Sequence, residues 1–399
     1  MLQPDPNERF RERRSQARRR RARRRIAAFS FLAVGTAVLA LGARFLEEGE
    51  QAPVQAAPTT APAAGTTTEG DESAPPTPRE LPEEVRGVHV TMGLMSLRGK
   101  LNEYLALTDE GMTALQIDVK DENGEVAFAS PLAPLATRVG AARDYYEPER
   151  VAERVHAKGL YLIGRVVVFE DPYLARERPR LAVQSSAGGI WTNYGGLGWS
   201  NQYDERVWDY NVDIAEAAAR AGFDEIMFDY VRFPSDGPIE QARWPGRVNE
   251  KKGETIARFL AYARDRLEPL GVRISAAVFG LAATRDLGIG QRPRLLAPHL
   301  DVIYPMVYPS HYSPGEYDLP DPDGTPGATV TMALRDFKEV MRGADTLIVP
   351  WLQDFTMGRQ YGLEQIQAQV TAARKLTKAG YLLWNAAGVY TPGGLAPAP

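Results

Sequence analysis

Carboxylates at the ends of apolar runs are the residues of this chain best placed to do chemistry. The run Gly222-Phe223-Asp224-Glu225-Ile226-Met227-Phe228-Asp229-Tyr230-Val231-Arg232-Phe233-Pro234 begins as an apolar strand. It ends in charge, with Asp229, then Arg232, then a Pro that stops the strand. A carboxylate held at the C-terminal end of a rigid strand suits acid, base or nucleophile work. Counting by twos, Glu225, Met227 and Asp229 share one face. Glu225 would then lie beneath Asp229 and need a buried partner. Arg165 is the expected one, which makes Glu225 scaffold rather than catalyst. Arg232 is expected to keep Asp229 ionised and in place.

Other strand ends supply further candidates. Gln116, Asp118 and Lys120 alternate along Gln116-Ile117-Asp118-Val119-Lys120-Asp121, and Asp118 is the second carboxylate. Lys120 could form a Schiff base, although Asp118 and Asp121 beside it favour an ordinary ion pair. Glu170 and Asp354 end two other apolar runs. The proton donor to a catalytic Asp229 is therefore sought among Asp118, Glu170 and Asp354, in that order. Asp171, before Pro172, reads equally well as turn chemistry. Tyr304, Tyr308, His311, Trp351, Trp384 and Asn385 join Arg232 and Lys120 as candidate substrate-binding residues. Aromatic faces stack on sugar rings while amides and carboxylates take hydroxyls, so this mixture suits a carbohydrate. The four His residues show no helical metal-ligand spacing, and neither a metal nor another cofactor is expected. Asp321-Pro322-Asp323-Gly324 reads as a plain turn rather than a calcium loop. No Gly-x-Ser-x-Gly nucleophile elbow occurs.

The elements that must position these residues alternate. Strands are expected at Gly87–Thr91, Ala114–Val119, Leu160–Phe169, Phe223–Val231, Val272–Phe279, Leu300–Tyr308, Thr346–Leu352 and Tyr381–Trp384. Helical patterns cover Leu97–Thr108, Pro148–Lys158, Val207–Ala221, Lys252–Leu267, Thr329–Met341 and Leu363–Ala379. Gly111, Gly159, Gly222, Gly271 and Gly380 stand just before strands, where a left-handed C-cap is wanted. Eight strands alternating with helices predict an α/β fold, a (β/α)8 TIM barrel whose active site lies at the C-terminal strand ends. A doubly wound sheet is the alternative, but no Gly-rich phosphate loop follows the first strand. The last helix is expected to be short or absent.

The chain has 399 residues and a formal charge of −4, with +8 on the first 25 residues and so −12 on the rest. An acidic body argues against nucleic acid as a partner. The absence of Cys excludes disulfides, thiolate zinc sites and thiol catalysis. Residues 1–25 read as a basic cytoplasmic tail. Residues 26–46 read as a transmembrane helix or signal anchor, with an unbroken apolar run from Ile26 to Ala43. A cleaved signal peptide is the rival reading. Residues 47–82, rich in Pro, Thr and Ala, read as a disordered tether, and 83–399 as the barrel. The expected location is the cell membrane, single-pass, with the C-terminal domain extracytoplasmic.

The blocks Gln116-Ile117-Asp118-Val119-Lys120-Asp121, Arg165-Val166-Val167-Val168-Phe169-Glu170-Asp171-Pro172, Trp208-Asp209-Tyr210-Asn211, Phe223 to Pro234, Tyr304-Pro305-Met306-Val307-Tyr308-Pro309-Ser310-His311 and Leu383-Trp384-Asn385-Ala386 together resemble a known family. It is a bacterial family of proposed glycoside hydrolases, long catalogued as a domain of unknown function. The resemblance implies a TIM barrel related to carbohydrate-active enzymes, often exported or tethered. The strand-four Asp229 is also similar to the nucleophile position of α-retaining barrel glycosidases. Those families place a Glu on the next strand, which here ends Phe279-Gly280, so the acid is left unassigned. Three readings follow: a glycosidase, a non-catalytic glycan-binding barrel, and a lyase or aldolase using Lys120.

Overall fold

The computed structural model describes residues 78–398 apart from Val248. The basic tail, the apolar segment at 26–46 and the linker up to residue 77 lie outside the described residues. Among the described residues no helix is long and apolar enough to cross a membrane.

Eight parallel staves close into a barrel. They are β1 (Val85–Val90), β2 (Ala114–Lys120), β3 (Tyr161–Val167), β4 (Glu225–Asp229), β5 (Arg273–Phe279), β6 (Val302–Val307), β7 in two pieces (Leu347–Ile348 and Trp351–Gln353) and β8 (Gly380–Trp384). Each pairs with the next, and β8 pairs with β1. β7 is interrupted because Pro350 brings no N–H to the ladder. Both of its pieces still pair with β6, so the ring stays closed.

Five longer helices cover the outside: α1 (Pro148–His156), α2 (Glu205–Arg220), α3 (Lys252–Leu267), α4 (Pro326–Val340) and α5 (Leu363–Leu376). α2 shows why they form. The Asp204 carboxylate accepts from the Arg206 amide at 3.1 Å, and an Ala-rich run carries the helix onward. Its inner stripe buries Val207, Trp208, Tyr210 and Ile214 against β2, β3 and β4. Each such large apolar side chain contributes about 1.5–3 kcal/mol by leaving water. After β8 no helix follows among the described residues.

The glycines expected at the αβ turns all have positive φ. Gly380, with φ 99°, is the most constrained, since a Cβ there would lie 2.0 Å from the Val85 carbonyl oxygen. Inside the ring, Tyr161, Ile163, Met227, Tyr304, Trp351 and Leu382 fill the lumen as a separate core. The barrel is thus a packed scaffold whose chemistry is confined to its mouth.

Candidate active site

The C-terminal ends of β2, β3 and β4 bring three charged residues together. Asp118 is the register partner of Arg165, and Val167 that of Asp229. Side chains at 161, 163 and 165 and at 225, 227 and 229 face the lumen by the period of two. Arg165 is long enough to reach up by one layer. Its Nη1 donates to Asp118 Oδ1 at 2.7 Å. Its Nη2 and Nε donate to Asp229 Oδ2 at 2.7 and 2.9 Å. The other Asp229 oxygen accepts from the Tyr230 amide at 2.7 Å. Tyr230 itself takes a left-handed φ of 49° as the chain leaves the strand.

The two carboxylates are therefore close. Asp118 and Asp229 oxygens each lie 2.7 Å from a terminal nitrogen of one rigid guanidinium, which limits their separation to about 8 Å. The retaining spacing of about 5–5.5 Å and the shorter inverting spacings, from about 6.5 Å, lie within that limit. Asp118 is 2% exposed and Asp229 3%. Burial pushes the Asp118 carboxyl up to about 7, against the pull of Arg165 and with help from Glu122. Asp118 thus holds its proton up to a much higher pH than an ordinary carboxyl.

His89, on β1, closes the group from the other side. Its Nε2 lies 3.6 Å from Asp118 Oδ1, and its Nδ1 lies 3.0 Å from Gln116 Oε1. Burial, reinforced by Arg165, lowers its pKa to about 3, so the ring is neutral. Its ring stacks on Trp384 at 6.3 Å and 16°. Trp384 leads into an aromatic half of the mouth: Tyr308 at 5.9 Å, Phe355 at 5.5 Å, and His311 at 5.2 Å from Tyr308.

Several candidates stand elsewhere than expected. Arg165 does not pair with Glu225. The register sets Glu225 beside Ile163, one layer lower, where it accepts from Ser275 Oγ at 2.5 Å and Tyr161 OH at 3.2 Å. Arg232 is not the cation on Asp229. Its guanidinium packs among the rings of Trp199, Tyr230 and Phe279 at 5.0, 4.8 and 4.8 Å. Lys120 does not line the mouth. A β-bulge between Asp118 and Lys120 turns it outward, where its Nζ lies 2.7 Å from Asp171 Oδ2 and donates to Asn211 Oδ1 at 2.8 Å. Burial lowers its pKa, against the opposing pull of Asp171.

Asp354 is held as a brace. Thr391 donates to both of its oxygens, at 2.8 Å from the amide and 2.6 Å from the hydroxyl. Asn385 donates to the backbone oxygens of Asp354 and Val389. Glu170 is buried and accepts from Asn193 Nδ2 at 3.1 Å. Tyr304 and Trp351 belong to the packed lumen beneath the mouth. Asp171 caps the short helix after it, accepting from the Leu174 amide at 2.8 Å. Among the described residues no cluster of acids and His is arranged to hold a metal.

Sequence reasoning missed the place of Arg165, the role of His89 and the presence of Glu122, whose Oε2 lies 3.7 Å from Arg165 Nη1. Parity on β1 and β3 carries a signal for the first two. Glu122 sits in a turn and carries none.

A closed parallel barrel with a carboxylate pair at its C-terminal mouth is an architecture of the glycoside hydrolase class. Residues 87–390 match the family described as "Putative glycosyl hydrolase domain", and the chain belongs to that family. No curated protein matches the chain. Among solved structures, a hypothetical protein from Ruminiclostridium thermocellum ATCC 27405 is 34% identical, covering 47% of this chain and 96% of its own, with a TM-score of 0.43. The PgaB (BpsB) glycoside hydrolase domain from Bordetella bronchiseptica is 15% identical, covering 76% and 94%, with a TM-score of 0.53. The catalytic domain of beta-amylase from Paenibacillus polymyxa is 12% identical, covering 80% and 96%, with a TM-score of 0.49. The likeness to the Bordetella domain shows a shared fold.

Proposed function

We propose that this barrel is a glycoside hydrolase acting on a polysaccharide or cell-wall glycan, with Asp118 as general acid and Asp229 as nucleophile or base. One observation carries the reading: both carboxylates are fixed by the single Arg165 guanidinium at the barrel mouth. Their environments differ as the chemistry requires. Burial keeps the Asp118 proton available for the glycosidic oxygen. Asp229 accepts from the Arg165 guanidinium and the Tyr230 amide, which suits an anion facing the developing positive charge of the sugar ring. Trp384, Phe355 and His311, each only partly buried, are the rings on which a pyranose can stack. Membership of the glycosyl hydrolase family supports the same class.

The test is release of reducing ends from a polysaccharide panel by the purified full chain, beside D229N and D118N. Hydrolysis by the wild type and none by D229N is expected. Turnover by D229N would move the site elsewhere. The near-complete burial of Asp118 and Asp229 favours a second reading, a barrel that binds glycans without cleaving them. Retention of a glycan with no product would select it.

For location, we propose a single-pass anchor at 26–46 with the barrel extracytoplasmic. The Arg-rich stretch Arg18 to Arg25 directly before the apolar run supports it. Protease cleavage of the barrel in intact cells is expected, and full protection would defeat it.

A further inference from the structure

Arg165 serves a third carboxylate besides Asp118 and Asp229. Glu122 Oε2 lies 3.7 Å from Arg165 Nη1, the same nitrogen that donates to Asp118 Oδ1 at 2.7 Å. The Glu122 side chain is 21% exposed, against 2% for that of Asp118. It thus stands at the solvent edge of the cluster.

The three carboxylates do not share the guanidinium equally. Asp229 takes the Nε and Nη2 donors and the Tyr230 amide, three donors in all. Asp118 and Glu122 meet at the one remaining nitrogen. Two carboxylates beside one donor repel, and the one with less water around it holds the proton. We propose that Glu122 is a positioning residue for that proton: its charge at the solvent edge keeps Asp118 in the acid form that hydrolysis requires. The inference rests on the glycosidase reading for its purpose, but not for its electrostatics.

The groups facing Asp118 define what else acts on it. His89 stands across from it on β1, with its neutral ring 3.6 Å away. The Met92 amide donates from the turn after β1. Asp121 and Glu122 follow it on its own loop, and Tyr146 donates to its backbone oxygen at 2.8 Å. Arg165 binds it from β3, and Asp229 lies beyond on β4. Of the acids here, Glu122 shares a guanidinium nitrogen with it and reaches water.

The experiment is a carboxyl-carbon NMR titration of Asp118 in the full chain, assigned by its loss in D118N. In E122Q the Asp118 midpoint should fall by about one pH unit, the scale of a like charge removed from this range. E122D keeps the charge and should stay near the wild-type midpoint. E103Q, at an exposed position where Glu103 pairs with Lys100, should leave it unmoved. An E122Q midpoint equal to wild type overturns the inference, as does an E122D midpoint shifted as far as that of E122Q. Should E122Q fail to fold, E122D and E122N are read in its place, with E122N expected to show the drop. This readout uses no substrate. Failure of every glycan in the panel would sink the hydrolase reading and leave the titration result standing.

Discussion

Lys120 Nζ lies 2.7 Å from Asp171 Oδ2, and neither side chain is exposed at all. The amine also donates to the Val168 carbonyl at 3.1 Å and sits over the Tyr210 ring at 5.1 Å. A Schiff-base lysine needs a free amine that substrate can reach, so the lyase reading loses its nucleophile. The pair instead pins the bulge after Asp118 to the loop after β3. K120M should cost about 3–5 kcal/mol, because Asp171 would stay buried without its cation. Denaturant unfolding measures this, and K120M/D171N should recover part of the loss. Borohydride with candidate carbonyl compounds should trap nothing.

Arg165 is the residue on which the site depends most. R165M would leave the Asp229 carboxylate buried without a cation and Asp118 without its donor, and should cost about 3–5 kcal/mol in denaturant unfolding. R165K keeps a charge but loses the fork that binds both carboxylates. It should fold and lose roughly a hundredfold in turnover on any glycan the wild type cleaves. An R165K variant with wild-type turnover would show that alignment by Arg165 is not needed.

Stability should fall as pH rises through neutrality. The Glu225, Asp118 and Asp121 carboxyls are all raised, chiefly by burial, to about 7. In the unfolded chain such groups titrate near 4, so the folded state holds extra protons between the two values. Their stabilisation is complete below about pH 4 and is lost as pH rises through 7. His89, lowered to about 3, works in the opposite sense up to its ordinary value near 6.5. His299, also lowered, opposes the fall, but the raised Asp213 and Asp354 add to it, and the carboxyls prevail. Melting temperature should drop from about pH 5 to pH 8, and E225Q should remove its own share, about 3 kcal/mol. A flat wild-type profile would contradict the raised Glu225.

The activity profile has its own limb. With Asp118 as acid, kcat/KM should fall about tenfold per unit once pH exceeds about 7. D118N should abolish that limb along with most of the rate, and a leaving group that needs no proton should restore part of the rate.

Much of the fold could be read from the chain because it depends on local patterns. The eight apolar runs became eight staves, and Gly111, Gly159, Gly222, Gly271 and Gly380 took the left-handed turns their positions imply. The site was legible only in part. Strand parity and strand ends suffice to place Asp118 and Asp229 on one rim, where both meet Arg165. What parity cannot see is how far a side chain leans or where a strand slips. Arg165, beside Met227, leans up one layer to Asp229 and away from Glu225. One extra residue after Asp118 sends Lys120 to the opposite face. The brace on Asp354 comes from Thr391, 37 residues away, which no local pattern reveals.

Tyr230, left-handed at φ 49°, donates its amide to one Asp229 oxygen, while Arg165 clasps the far oxygen. Such a conformation costs a non-glycine residue about 1–3 kcal/mol and must be held by its surroundings. The Asp229 carboxylate therefore has no freedom to swivel toward an incoming sugar. Any glycan this protein turns over must travel the last few ångströms itself and arrive already oriented, so selectivity would be decided by the trajectory the rim permits rather than by adjustment of the reacting group.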